Sequence, residues 1–177
     1  KELIDLMREE VELLEIPEDF PWINPPYTHQ ELALRFMYTH GSAGLLLEPG
    51  LGKTYVILNY IKLMEFNKSF ILCPKALQFV WVDEVAKHRP DLTVHVMENA
   101  NWNETITNTE ARLHKWEAKL KELGERPEDD NEAKTWDRVR TNVMTAKREL
   151  RKLPDLRDAD LQAAEDADIV VANYEKM

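Results

Sequence analysis

The sequence predicts an α/β fold in which helices flank a parallel sheet. Short apolar runs alternate with helix-like segments, and this spacing is typical of parallel strands joined by helical connections. The runs are continuous in Val, Ile and Leu, which indicates strands buried on both faces. A long segment between the third and fourth runs instead repeats apolar residues at heptad spacing, which predicts an inserted helical hairpin.

The chain before the first strand is predicted to form two helices and a linker. Residues 1–15 place leucines near one helical face, which indicates an amphipathic helix. Residues 16–27 hold four prolines, and proline removes a backbone donor and disfavours helix before it, so this part is predicted to be extended. Apolar spacing over residues 28–39 predicts a second helix.

The predicted sheet has four strands. They are expected at residues 43–47, 69–73, 92–97 and 168–172, with helices at 54–66 and 76–88. We therefore predict three parts: an N-terminal helix and linker (residues 1–26), an α/β lobe (27–97 and 154–177) and a hairpin (98–153).

The predicted hairpin has two heptad-patterned arms. Its apolar positions, separated by steps of three and four, are Leu113, Trp116, Leu120 and Leu123, then Trp136, Val139, Val143, Ala146, Leu150 and Leu153. A polar break at residues 124–131 separates them, which predicts an antiparallel coiled coil. Its tryptophans could stack on bases, but their seam spacing favours a core role. Lys and Arg mix with Glu and Asp on the outer faces, which favours a solvated surface.

Composition limits the function classes. The 177 residues are 44% hydrophobic, enough for one ordinary domain, and contain no apolar run long enough for a membrane span or signal peptide. The single cysteine, Cys73, suits a reducing compartment, so a cytoplasmic or nucleoid location is expected. The net charge of −10 gives no support for nucleic-acid binding, and no zinc-ligand spacing is present. Both ends read as cut, so we expect a piece of a longer polypeptide.

The strongest chemical signal is a phosphate loop at residues 48–54, Glu-Pro-Gly-Leu-Gly-Lys-Thr, between an apolar run and a helix. Gly50 and Gly52 let backbone N–H groups turn towards an anion, and the helix start adds its positive dipole end. Lys53 can reach the β- and γ-phosphates, and the Thr54 hydroxyl can ligate Mg²⁺. The predicted nucleotide contacts also include Leu51 and Tyr55. The strict pattern has glycine at position 47, where this chain has leucine.

This loop resembles that of Swi/Snf-type ATPases, double-stranded DNA translocases of helicase superfamily 2. Their usual form is Asp-Glu-Met-Gly-Leu-Gly-Lys-Thr, which this chain matches at Glu48 and from Gly50 onward. Residues 27–30, Tyr-Thr-His-Gln, look like the family's Q-type motif, in which Gln30 would contact adenine.

Two further segments carry the resemblance, which covers residues 27–95 and 168–175. Residues 73–77 with Trp81-x-x-Glu84 look like motif Ia, although Ala76 replaces the usual serine and Lys75 could substitute electrostatically. Residues 173–175, Asn-Tyr-Glu, look like motif Ib, so Asn173 and Tyr174 could touch a DNA backbone.

The resemblance implies a RecA-like lobe that uses ATP and Mg²⁺, with Lys53 and Thr54 in the catalytic machinery and double-stranded DNA as partner. The family's Asp-Glu-x-His motif and second lobe are not in these residues, so the chain is expected to bind Mg-ATP weakly and hydrolyse it negligibly by itself. An alternative is a nucleotide-gated module whose hairpin recruits a protein. A metabolic phosphate-loop kinase is disfavoured by the motif Ia and Ib matches. Strand separation and translocation along intact duplex both remain open.

Overall fold

The computed structural model describes residues 12–97, 99 and 101–174. Its strands are β1 (Ser69–Cys73), β2 (Val94–Val96) and β3 (Ile169–Asn173). Its helices are α1 (Thr28–His40), α2 (Lys53–Leu63), α3 (Gln78–His88), α4 (Trp102–Leu123) and α5 (Asp130–Asp166), with a 3-10 turn at Lys75–Leu77. The helix predicted over residues 1–15 lies mostly outside the described residues. None of the described helices combines the length and apolar composition of a membrane span.

The three strands form a parallel sheet in the order β1-β3-β2. The central strand β3 is buried along its whole length, as its continuous apolar run predicts. Thr93 and Asp168 join the starts of β2 and β3: the Thr93 N–H and hydroxyl both donate to Asp168 Oδ2 at 2.7 Å. These bonds lower the pKa of the Asp168 carboxyl. The α/β class with a parallel sheet is therefore confirmed, with β2 shorter than predicted.

The strand predicted at residues 43–47 is absent, so this prediction is wrong. The described backbone there pairs with no strand, and the Leu46 side chain is 99% exposed. A strand exists only where a neighbouring backbone completes its hydrogen-bond ladder, which an apolar run alone does not guarantee. Burial of β1 on both faces is also wrong: this is an edge strand, and Phe70 is 68% exposed.

The chain forms two compact units. Of the described residues, the first unit comprises 12–71, 76–95 and 167–171, and the second comprises 72–75, 96–97, 99, 101–166 and 172–174. In the first unit, α1 packs on α2 and α2 packs on α3. Its core includes Leu34, Met37, Tyr55, Val56 and Tyr60. Gly41 ends α1 with a left-handed φ of 71°, a conformation that glycine adopts without the usual Cβ penalty.

A fully buried arginine fixes the proline-rich segment to the first unit. Arg89 is 0% exposed, and its guanidinium donates to the Pro21 carbonyl at 2.9 Å and to Asp91 at 2.9 Å. Its guanidinium carbon also lies 5.6 Å from the centre of the Phe20 ring. Asp91 takes a second partner, Lys62, at 3.0 Å. The extended linker is therefore held in place by a charge that the sequence analysis did not single out.

The second unit is dominated by α4 and α5, which pack against each other. The buried positions of α5 include Val139, Val143 and Ala146, three of the predicted seam residues. Helix α5 does not end at the predicted boundary at residue 153, because it continues through Pro154 to Asp166. Proline removes one N–H donor, and the helix extends on both sides of that position.

An indole–carboxylate hydrogen bond ties the start of α4 to the C-terminal part of α5. Trp102 Nε1 donates to Asp160 Oδ2 at 2.8 Å, and both side chains are buried. At the other end of the pair, Trp136 Nε1 donates to the Gly124 carbonyl at 3.0 Å, where α4 ends. Both indoles therefore hold the helix pair together, and Trp136 is one of the two tryptophans whose seam spacing favours a core role.

Candidate nucleotide-binding site

The loop between residue 47 and α2 turns through two left-handed glycines. Gly50 has a φ of 86° and Gly52 a φ of 83°, values that residues with a Cβ rarely adopt. A hydrogen bond from Leu51 N–H to the Glu48 carbonyl, 3.3 Å long, closes the bend. The glycine spacing read from the sequence therefore matches a backbone requirement.

The start of α2 offers unpaired donors to an anion. The helix begins at Lys53, and its N-cap Gly52 provides no side-chain cap. The Val56 N–H closes the first helical turn on the Gly52 carbonyl at 3.0 Å. Helix geometry leaves the N–H groups of Lys53, Thr54 and Tyr55 without an intrahelical acceptor. These amides and the positive end of the helix dipole suit a phosphate group.

Lys53 folds back over the loop. Its ammonium donates to the Leu47 carbonyl at 2.7 Å and to the Glu48 carbonyl at 3.0 Å. Thr54, the next residue, is partly exposed in the first turn of α2. The ammonium, the glycine bend and the first-turn amides thus lie at one end of one helix.

Gln30 connects the segment before α1 to this loop. Its side-chain Nε2 donates to the Leu51 carbonyl at 3.2 Å, and its Oε1 accepts from the Tyr27 N–H at 3.1 Å. The side chain is buried, and a Cβ built on Gly52 would lie only 2.3 Å from Gln30 Nε2. Gln30 and the loop, which are about twenty residues apart in sequence, therefore form one site in the structure.

His29, which is not among the predicted site residues, also reaches the loop. Its Nε2 lies 3.1 Å from the Leu51 carbonyl, and its ring stacks on Tyr27 with centroids 5.9 Å apart. The available signal was its place in the Tyr-Thr-His-Gln segment, beside Gln30.

The Tyr55 side chain belongs to the core. Its hydroxyl donates to the Asn24 carbonyl at 2.6 Å, and its ring meets His88 edge-on with centroids 5.2 Å apart. Burial raises the pKa of the Tyr55 phenol and lowers the pKa of His88. The predicted nucleotide contact of Tyr55 is therefore restricted to its backbone N–H.

The three residues predicted to contact DNA lie at the carboxyl ends of β1 and β3. These strands are neighbours in a parallel sheet, so their carboxyl ends meet at one edge. Lys75 is exposed in the 3-10 turn, Asn173 is buried, and Tyr174 is 51% exposed. The topology brings the two segments to the same edge, and their contact with DNA stays a prediction.

Among the described residues, no three His, Cys, Asp or Glu side chains group together as a metal site.

Comparison with known proteins agrees with this geometry. A family model described as SNF2-related domain matches residues 29–177, a range that includes Gln30, the phosphate loop and the motif Ia and Ib segments. Neither a search of curated proteins nor one of solved structures found a match. Members of this family are generally ATP-dependent helicases or translocases that act on DNA and typically use Mg²⁺. The resemblance seen in the sequence is thus confirmed, and the chain belongs to the SNF2-related domain family, the Swi/Snf type of helicase superfamily 2.

Proposed function

We propose that this chain binds Mg-ATP at residues 48–54 and serves as the RecA-like ATP-binding lobe of a DNA translocase. The observation that carries the proposal is the Gln30 side chain, which is bonded to the Leu51 carbonyl inside the phosphate loop. A loop that only reversed the chain direction would not need a buried amide from the first turn of α1. A nucleotide site needs that link, because base and phosphates must be held together.

The phosphate half of the site follows from the donors at the start of α2. The amides of residues 53–55 would bind phosphate oxygens. Lys53 would exchange its two carbonyl acceptors, at residues 47 and 48, for β- and γ-phosphate oxygens. An ammonium bonded to phosphate is stabilised more than one bonded to neutral carbonyls, which favours this exchange. Mg²⁺, held by Thr54, would supply charge neutralisation on the phosphates.

The base half of the site would use the remaining capacity of Gln30. A carboxamide has two N–H donors and two acceptor lone pairs, and the structure occupies one of each. One donor and one acceptor are left, which match the N7 acceptor and N6 donor of adenine. Gln30 can therefore read adenine without releasing Leu51.

Translocation would require a DNA contact and a hydrolysis cycle. We assign the DNA contact to the strand edge that carries Lys75, Asn173 and Tyr174, through the phosphate backbone. Lys75 carries a positive charge next to Ala76, the position where the family usually has a serine hydroxyl. We also propose that α4 and α5 form an inserted antiparallel coiled-coil hairpin, because the buried positions of α5 follow the predicted heptad seam.

A titration with a fluorescent ATP analogue and Mg²⁺ tests the nucleotide site. Lys53→Ala removes a charge-assisted phosphate contact of about 1.5–3 kcal/mol, which predicts an affinity loss of roughly 10- to 100-fold. Lys87→Ala, at an exposed lysine on α3, is the matched control and should bind like the parent chain. Equal binding by the Lys53 and Lys87 variants, or no binding by the parent chain, would refute the proposal.

The base contact has its own test. If Gln30 reads adenine, Gln30→Ala should reduce the preference for ATP over GTP as well as the affinity for ATP. A uniform loss for both nucleotides would mean that Gln30 only shapes the loop.

A further inference from the structure

One stretch of α5 has a charge opposite to that of the whole chain. Residues 138–152 contain six Lys or Arg and one Glu, a net charge of +5 (six minus one), in a chain of net charge −10. The mixture of Lys and Arg with Glu and Asp favours a solvated surface over this region. The structure shows how the mixed charges are distributed.

The carboxylates beside this stretch already have cationic partners. Asp137 is paired with Arg126 at 3.0 Å, and Glu149 is paired with Arg112. Lys147 is paired with Glu117 at 2.8 Å. These ion pairs neutralise the acidic groups of the region.

Three arginines of this stretch carry a charge that no ion pair in the described part of the chain neutralises. Arg140, Arg148 and Arg151 form no ion pair with a carboxylate among the described residues, although the charge of Arg140 adds to the hydrogen bond from Arg126 in lowering the pKa of the Asp137 carboxyl. They line a shallow depression on α5 together with Thr141, Met144 and Thr145, and the ion-paired Asp137 and Lys147 complete its lining. We call the three arginines, Thr141, Met144 and Thr145 the basic face of α5. The Arg140 guanidinium lies over the Trp136 ring, 5.5 Å from its centre, which restricts its position.

The basic face is a straight row. Positions 140, 144, 148 and 151 are separated by four, four and three residues, so they lie along one side of the helix. With a rise of about 1.5 Å per residue, the outer arginines are about 16 Å apart along the axis. Each strand of a DNA duplex carries a phosphate about every 3.4 Å of its axis, so such a row can meet several phosphates.

We propose that the basic face of α5 binds the phosphate backbone of duplex DNA. Guanidinium groups bind phosphate through paired N–H donors, and the Thr145 hydroxyl can add one more donor. The Thr141 hydroxyl already donates to the Asp137 carbonyl at 2.8 Å. An acidic protein partner fits less well, because protein interfaces combine arginine with buried apolar and aromatic anchors, and Met144 is the single apolar residue of this face. Single-stranded DNA also fits less well, because it is usually held by aromatic stacking and none of the six residues is aromatic.

This inference extends the DNA partner of the proposed function to a surface that includes none of the residues predicted to bind ATP or DNA. It requires no nucleotide, so it can be tested while the phosphate loop is empty or disabled.

The test is anisotropy of a labelled duplex without nucleotide, with the whole chain and two triple variants. In the first, Arg140, Arg148 and Arg151 are replaced by alanine. In the matched control, the exposed α4 residues Lys115, Lys119 and Lys121 are replaced by alanine, which changes the net charge equally.

We expect the arginine triple to bind duplex about 100-fold more weakly at low salt. It should also reduce the slope of log affinity against log salt by about 2.7, because roughly 0.9 of slope is lost for each phosphate contact. The lysine triple should bind within about threefold of the parent chain, since non-contacting charges act mainly at long range and are screened. Circular dichroism should show the same helix content in all three proteins.

Several outcomes would overturn the inference. If both triple variants lose the same affinity for the duplex, only the net charge matters. If the parent chain does not bind the duplex, the basic face is not a DNA-binding surface. Tighter binding of single-stranded DNA, or of polyglutamate, with the same sensitivity to the arginine triple would assign the face to that partner instead. Lys53→Ala should weaken Mg-ATP binding but keep duplex binding. Failure of the proposed nucleotide site therefore appears in the ATP titration, and failure of the basic face appears in the duplex titration.

Discussion

Replacing Gly52 with alanine tests whether Gln30 and the phosphate loop form one packed unit. A Cβ at position 52 would lie 2.3 Å from Gln30 Nε2 and 3.3 Å from Gln30 Cδ. Gln30 would have to swing away and lose its hydrogen bonds to the Leu51 carbonyl and the Tyr27 N–H. Gly50→Ala is the matched control, because Gly50 has nearly the same φ and nothing within 4 Å of the added atom.

The two variants should differ by a predictable amount. Holding alanine in the left-handed region costs about 1 kcal/mol at either position. The two lost hydrogen bonds add about 1 kcal/mol each at position 52 only. We therefore expect about 3 kcal/mol of local destabilisation for Gly52→Ala and about 1 kcal/mol for Gly50→Ala.

Amide hydrogen exchange of α2 measures the free energy of opening in this unit. A double-mutant cycle with Gln30→Ala isolates the contact, because without the glutamine side chain Gly52→Ala should cost no more than Gly50→Ala. Equal effects of the two glycine variants in the parent chain, or strict additivity of Gly52→Ala with Gln30→Ala, would refute the reasoning.

Three further changes have defined expected outcomes. Arg89→Met removes the donors to the Pro21 carbonyl and Asp91 and should destabilise the first unit by about 2 kcal/mol or more. Faster proteolysis within residues 17–26 would measure this loss, and an unchanged rate would contradict the bridging role of Arg89. Trp102→Phe keeps the apolar packing but removes the indole donor to buried Asp160, so denaturant unfolding followed by circular dichroism should show a loss of about 1–3 kcal/mol. Burial lowers the pKa of His88 below its unfolded value of 6.5, so the folded state resists protonation and stability should fall as the pH drops below about 6.5, until the folded pKa is reached. His88→Gln should flatten this dependence of unfolding free energy between about pH 5 and 7, and an unchanged slope would assign it to other groups.

Local patterns predicted the elements whose formation depends on nearby residues. The Val-Ile-Leu run of β3, the helices α1 and α2 and the left-handed glycines at 50 and 52 all follow from spacing within a few residues. Residues 43–47 have an equally apolar run and form no strand, because a strand also needs a paired neighbour and the sequence of the run does not specify one.

The support of the site depends on distant contacts that no local pattern shows. Arg89 is buried because Pro21, 68 residues earlier, accepts its hydrogen bond. The Tyr55 side chain is directed into the core by Asn24, 31 residues earlier, although its neighbours in sequence form the phosphate loop. Whether a charged or hydroxyl side chain binds a ligand or stabilises the core depends on such distant partners. Spacing along the sequence predicts the position of the backbone but not these partners.

The proline-rich segment has one more consequence. It is held by Arg89 at Pro21 and by the Tyr55 hydroxyl at Asn24, just before the residues that lead into Gln30. Prolines restrict the backbone φ angles and make the segment rigid, so it forms a stiff connection to the start of α1. Cleavage near residue 20 would release the segment that leads into Gln30, so it should also weaken the hydrogen bond between Gln30 and the Leu51 carbonyl.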